Sequence, residues 1–267
     1  MIKPVGSDEL KPLFVYESDK HDALRHEAES LPSILLSSQA AANAVMMGSG
    51  YFSPLPGYMN VADAMGAAEK MTLSDGKFFP VPVMNLTSKE QLDKLDGAKR
   101  IALRDPNVDG NPVLAVMDVE AIEEVSAEQM ATMTEKVYRT TDPEHPGVAA
   151  FNSQGNMAVS GPIQVLNFSY FAEDFPDTFR TAVEIRNEIA ERGWKKVVAF
   201  QTRNPMHRIH EELTKRAAEE VNGSLLIHPV VGMTKPGDVD HYTRVRVYRA
   251  LVENYYDPDR TVLSLLP

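Results

Sequence analysis

The sequence predicts an α/β protein in two parts: an α+β region on a barrel-like mixed sheet over residues 1–166, then a doubly wound α/β region over 167–267. Three observations carry this. At 267 residues the chain is long enough for two domains of roughly 150 residues. Short β-rich runs separated by turn signals fill the first part. After GPIQVL (161–166) helix and strand patterns alternate at the lengths of a parallel sheet. With 43% hydrophobic and 24% charged residues the composition is that of a folded globular protein, which excludes wholesale disorder.

Taken in order, MIKPVGSDEL lacks the apolar run of a secretory signal. Residues 30–62 carry no charge, but Pro32, Gln39, Asn43, Pro54 and Pro56 interrupt them, so no membrane span is expected and the default is a cytoplasmic protein. The runs 77–86, 100–107 and 111–119 read as strands, punctuated by Ser-Asp-Gly at 74–76 and Asp-Gly-Asn at 109–111. Ile122, Val125, Met130, Met133 and Val137 recur at helical spacing and predict a helix over 119–138. A second helix is predicted over 177–192, with Phe179, Val183 and Ile189 facing inward and Gly193 as its stop. KKVVAF (195–200) suits a buried strand, and Pro205 suits the start of the next helix, which runs to Gly223. SLLIHPVV (224–231), a helix over 240–256 and TVLSLL (261–266) complete the alternation. A sheet stopping on that third strand reads as a truncated domain, with apolar surface exposed over 262–266.

The net charge of −11 repels nucleic acid phosphates and anionic membranes, so neither is an expected partner and any anion must be captured locally. The absence of cysteine excludes disulfides, thiolate zinc sites and thiol nucleophiles. Against this background residues 195–250 hold ten basic side chains and six acidic ones. Four of the seven histidines, His207, His210, His228 and His241, fall in the same window. Lys215, Arg216, Glu219 and Glu220 read as a solvated helix face.

Within the window, QTRNPMHRIH (201–210) joins a strand to a helix. Gln201, Thr202, Arg203 and Asn204 form the turn, and the free N–H groups of the helix start add positive potential. His207 and His210, three apart, share a helix face; they suit phosphate oxygens better than zinc, although one of them could simply cap or pack. GMTKPGDVDHYTR (232–244) is the second loop of interest. Gly232 and Gly237 permit unusual backbone angles, Lys235 offers a charge, and Asp238 or Asp240 can cap the following helix. It is either an ordinary capped loop or a wall of the ligand cleft. No P-loop or G-x-S-x-G occurs, and Gly48-Ser49-Gly50 lacks the third glycine of a dinucleotide fingerprint.

QTRNPMHRIHEEL closely resembles the signature of the sulfate adenylyltransferases (ATP sulfurylases), and GMTKPGDVDHYTRVRVYRAL resembles the segment that follows it there. GYFSPLPGYM (50–59) and YRTTDPEHPGV (138–148) are similar to further stretches of that family. The resemblance implies a PUA-like domain over 1–166 and a Rossmann-like nucleotidyltransferase domain over 167–267. It implies conversion of ATP and sulfate into adenosine 5′-phosphosulfate and pyrophosphate, or the reverse, with Mg²⁺ accompanying ATP, and it suggests a homo-oligomer. Carried over by position, Gln201 and Arg203 hold sulfate, with Asn204 also substrate-binding, Thr202, Arg203 and Asn204 form an active-site trio, and His207 and His210 contact the ATP phosphates; no residue is assigned to a protein-held metal. The family's Gly-Arg-Asp-His-Ala-Gly motif is not in the sequence and is expected beyond residue 267. Three other readings stay open: an adenylyltransferase with a different acceptor, a non-catalytic PUA-type binding module, and a histidine-based metallohydrolase.

Overall fold

The structure, a computed structural model, describes residues 3–232 and 237–267 and divides into two compact units, one running to Tyr170 and one from Phe171 to Pro267. In the first unit the elements are α1 (Ser18–Ser30), β1 (Ser33–Leu35), α2 (Ser38–Gly48), β2 (Gly57–Tyr58), α3 (Val61–Lys70), β3 (Leu86–Thr87), α4 (Lys89–Asp93), β4 (Arg100–Arg104), β5 (Val113–Asp118), β6 (Ala121–Glu124), α5 (Ala127–Tyr138), α6 (Pro146–Asn152) and β7 (Met157–Val165). β7 organises the sheet, pairing antiparallel with β2, β3, β5 and β6. β5 and β6 run along it as one interrupted strand, with Ala115–Met117 opposite Val165–Ile163 and Ala121–Glu124 opposite Ser160–Met157. Gly161 sits at the interruption with φ +147°, and a Cβ there would lie 2.0 Å from the Asp118 carbonyl oxygen. Only glycine permits that approach.

Two of the predicted elements in this unit are corrected. Of the run 77–86, only Leu86 enters a strand, because Pro80 and Pro82 remove ladder donors. The helix predicted over 119–138 divides into β6 and α5. Ser126 accepts the Gln129 N–H at 3.2 Å and the Gln129 side chain accepts the Ser126 N–H at 2.9 Å, a reciprocal cap that starts α5 eight residues later. Ile122, at a helical position by spacing, is exposed on β6.

The second unit contains α7 (Phe171–Asp174), α8 (Ala182–Glu191), β8 (Val197–Thr202), α9 (Arg208–Glu220), β9 (Ser224–Pro229), α10 (His241–Tyr255) and β10 (Thr261–Leu263). Its three strands are parallel in the order β10-β9-β8, with Val197 opposite Ser224 and Leu225 opposite Thr261. Leu225, Ile227, Leu263, Ala218, Tyr248, Tyr256 and Met206 form the buried core cluster. α8 starts at Ala182, later than predicted, because Thr181 and Glu184 make a second reciprocal cap. Phe179 is buried, but in a parallel bridge to Leu265 and not on a helix.

That bridge overturns the expected exposed edge. The Leu265 N–H donates to Thr178 at 3.0 Å, and Val262, Leu263 and Leu265 are all buried. The strand with open flanks is β8: Ala199 and Gln201 are exposed and none of its residues is fully buried, whereas all six of β9 are. Among the described residues no helix is long and apolar enough to cross a membrane.

Candidate functional site

β8 delivers Thr202 to the carboxyl end of the parallel sheet, the side on which open α/β sheets take ligands. The chain then bends through 203–206 before α9. Asn204 N–H donates to Thr202 Oγ1 at 3.1 Å, closing a tight turn on the threonine hydroxyl. Met206 inserts into the core cluster, an anchor worth about 2 kcal/mol of apolar burial.

The helix begins at Arg208, so Pro205 lies before it and His207 is the N-cap. The His207 N–H donates to Nδ1 of His210 at 3.1 Å. With Nδ1 used as acceptor, the neutral imidazole carries its proton on Nε2, a donor not used by the cap. The sequence left open whether one histidine caps, and His210 does. Its ring lies 5.8 Å from that of Phe200 and 5.6 Å from that of His207, which is exposed.

Arg203 is 43% exposed, and its guanidinium lies 3.6 Å from Asp238, which is 13% exposed. The two loops singled out by sequence therefore meet through this pair. Asp240 caps α10 by accepting the Thr243 N–H at 2.9 Å, a bond that holds its carboxyl below the usual range. Lys235 falls outside the described residues. The basic surplus is smaller in space than along the chain: Arg208 and Lys215 pair with Glu211 at 3.0 and 2.6 Å, and Arg216 with Glu212 at 2.6 Å.

Not all four histidines belong to the turn. His228 stands opposite Gln201 in the β8–β9 register but is buried, and desolvation pushes its imidazole down to about 4 despite a backbone hydrogen bond at Leu265. It is a neutral core histidine. His241 is also held down, by burial first and then by the Arg244 charge.

Two residues that sequence reasoning gave no role complete the arrangement. Arg244 donates from one terminal nitrogen to the Arg203 carbonyl at 2.6 Å and to the Val230 carbonyl at 3.0 Å. Tyr248, one helical turn on, donates its hydroxyl to the Asn204 carbonyl. Their i, i+4 spacing on a helix otherwise buried through Val245 was the available signal. Among the described residues no group of three or more His, Asp or Glu side chains is placed to hold a metal ion.

An open parallel sheet with a capped polar turn at the carboxyl end of its first strand makes this unit an α/β fold of the kind whose ligands, where present, lie beyond the strand ends. A PUA-like domain model matches residues 2–168 and an ATP-sulfurylase model matches 176–267. The chain is 63% identical over 265 residues to the sulfate adenylyltransferase of Allochromatium vinosum, covering 99% of this chain and 66% of that protein. The sulfate adenylyltransferase of the Riftia pachyptila sulfur-oxidizing endosymbiont is also 63% identical, with 60% of its length covered. A solved structure, the hexameric APS kinase from Thiobacillus denitrificans, matches the whole chain at TM-score 0.77 and 28% identity over 47% of its own length. The chain belongs to the sulfate adenylyltransferase family, and it spans about two thirds or less of these curated relatives.

Proposed function

We propose that this chain carries the anion- and nucleotide-binding turn of an enzyme that transfers the adenylyl group of ATP to sulfate, with residues 1–166 as the PUA-like region and 167–267 as the nucleotidyltransferase region. The observation that carries the reading is the turn itself. Arg203 and the His207–His210 pair stand together at the carboxyl end of β8, at the start of a thirteen-residue helix. In the reaction a sulfate oxygen attacks the α-phosphorus in line, a new P–O bond forms, the bond to the bridging oxygen of the β-phosphate breaks, and pyrophosphate leaves. Sulfate is fully ionised at neutral pH, so no general base is required, and catalysis rests on positioning and on stabilising charge.

Gln201, Arg203 and Asn204 take the sulfate oxygens, the planar guanidinium of Arg203 matching two of them at once. Thr202 shapes the turn. His207 and His210 donate to ATP phosphate oxygens, His210 through Nε2. This donor set of amide, guanidinium and imidazole suits anionic oxygens, whereas Mg²⁺ favours carboxylate and water oxygens. Mg²⁺ therefore enters on the triphosphate, where it neutralises charge. The same residues serve the ATP-forming direction. A cytoplasmic homo-oligomer is proposed with it, the matched kinase from Thiobacillus denitrificans being described as hexameric.

The test is acceptor-dependent pyrophosphate release by the full-length protein carrying this chain, with Mg-ATP and sulfate, selenate, molybdate or a carboxylate. Release with the tetrahedral oxyanions and none with carboxylates is expected. Release with carboxylates alone overturns the reading.

A further inference from the structure

Arg244 is 2% exposed, and two of its three guanidinium nitrogens, Nε and one terminal nitrogen, have no hydrogen-bond partner. Among the described residues Arg244 makes no ion pair with a carboxylate, and the nearby Asp238 faces Arg203 instead. The titratable neighbours that sense its charge are His241 and Tyr248, and neither supplies a negative charge near neutral pH: burial raises the Tyr248 phenol to about 12 and lowers the His241 imidazole. A buried cation left without a counter-charge is costly, and a fold that needed only a donor for two carbonyls would be served better by a neutral side chain. What Arg244 grips is informative. The Arg203 carbonyl follows β8 and the Val230 carbonyl follows β9, so one guanidinium ties together the chain leaving the carboxyl ends of two adjacent strands. Tyr248 takes the next carbonyl of the same turn, that of Asn204.

We infer that Arg244 and Tyr248 are positioning residues for the anion turn: from α10 they fix the consecutive carbonyls of Arg203 and Asn204, and the unanswered charge of Arg244 lies beneath the turn where a bound dianion supplies the missing negative partner. This rests on the reading of residues 201–204 as the sulfate-binding turn. Neither residue touches the ligand; Arg244 acts through the backbone of Arg203 and through its field, and Tyr248 through the backbone of Asn204. Anchoring carbonyls from below leaves the Arg203 guanidinium, which faces Asp238 in this structure, to reach the oxyanion while removing the rotational freedom of its peptide plane, which is how remote contacts make a site pre-organised.

The experiment uses the full-length protein and measures the KM for sulfate, the KM for ATP, kcat and the melting temperature. Tyr248→Phe removes one hydroxyl and should raise the sulfate KM about tenfold, the worth of one lost hydrogen bond to the turn, with the ATP KM within about twofold. Arg244→Lys keeps the charge but not the fork, and Arg244→Met removes both. The sulfate KM should rise further in the methionine variant than in the lysine variant, a difference that lost stability alone does not produce. Equal movement of the two KM values in Tyr248→Phe, an unchanged sulfate KM, or identical lysine and methionine variants at position 244 overturns the inference. Arg203→Lys is run beside them. If it leaves the sulfate KM and kcat unchanged, the turn itself has been misread; if it is impaired while the α10 variants are normal, only the positioning role falls.

Discussion

Helices α9 and α10 begin beyond neighbouring parallel strands, yet their first turns are built in opposite ways. α9 starts on exposed polar residues, with His210 capping the N–H of His207 and Arg203 reaching toward solvent. α10 starts on a carboxylate cap at Asp240 and then sends Arg244 and Tyr248 inward, both fully buried. One helix start presents donors and the other holds them in place. Exposed donors on a β8 edge strand would wander without support, and the support comes from a helix that packs deeply enough to fix it.

The largest break in this contrast comes from Arg203→Lys, which keeps the charge and loses the fork. Turnover should fall about 10²–10³-fold, the usual cost of one pre-organised donor, with little change in melting temperature because the side chain is partly exposed and lysine keeps the charge facing Asp238. Steady-state kinetics beside a thermal melt checks both halves.

His228 tests the buried side of the comparison through pH. Its folded-state value near 4 lies below the ordinary 6.5, so the unfolded chain binds the proton more readily, and stability present above pH 6.5 is lost as pH falls toward 4. The full loss is about 3 kcal/mol, from roughly 1.4 kcal/mol per pH unit. Urea unfolding at pH 7.5 and 4.5 should show His228→Gln losing less between the two pH values than the parent. An equal acid loss in both would remove His228 as its source.

A smaller effect is expected at His210, where alanine removes the cap on His207 and the Nε2 donor together. About 1 kcal/mol of stability should go with the cap. Glutamine, which can still accept at the helix start, should restore most of the stability while turnover stays low. Recovery of both would make His210 a cap alone. The smallest effect belongs to Asp240→Ala, which removes only an exposed cap at the start of α10. The melting temperature should drop by a few degrees, with the KM for ATP unmoved.

Much of this was legible without coordinates. The alternation of apolar runs and helical patterns after residue 166 gave the parallel unit, since a strand buried on both faces, such as β9, is built around a continuous apolar run, here Leu225–Ile227. QTRNPMHRIH was legible as a polar turn because strand, proline and paired histidines are local signals. The helix predicted over 119–138 failed for a physical reason: Ile122 and Val125 match helical spacing by coincidence, and Ser126 with Gln129 offers a better helix start than any residue before it. Exposure over 262–266 failed because the 178–179 segment, distant in sequence, pairs with Leu265.

The sequence by itself determined the alternation of helices and strands in the second unit, the acidic balance, the two loops and the residue types at the turn, all set by composition and short-range pattern. Only the tertiary structure decided that Arg203 faces Asp238, that His228 is a neutral core residue and that Arg244 and Tyr248 reach the turn from beneath. Those facts depend on which side of a strand faces its neighbour and on carbonyls some forty residues away, and no local pattern carries such distances.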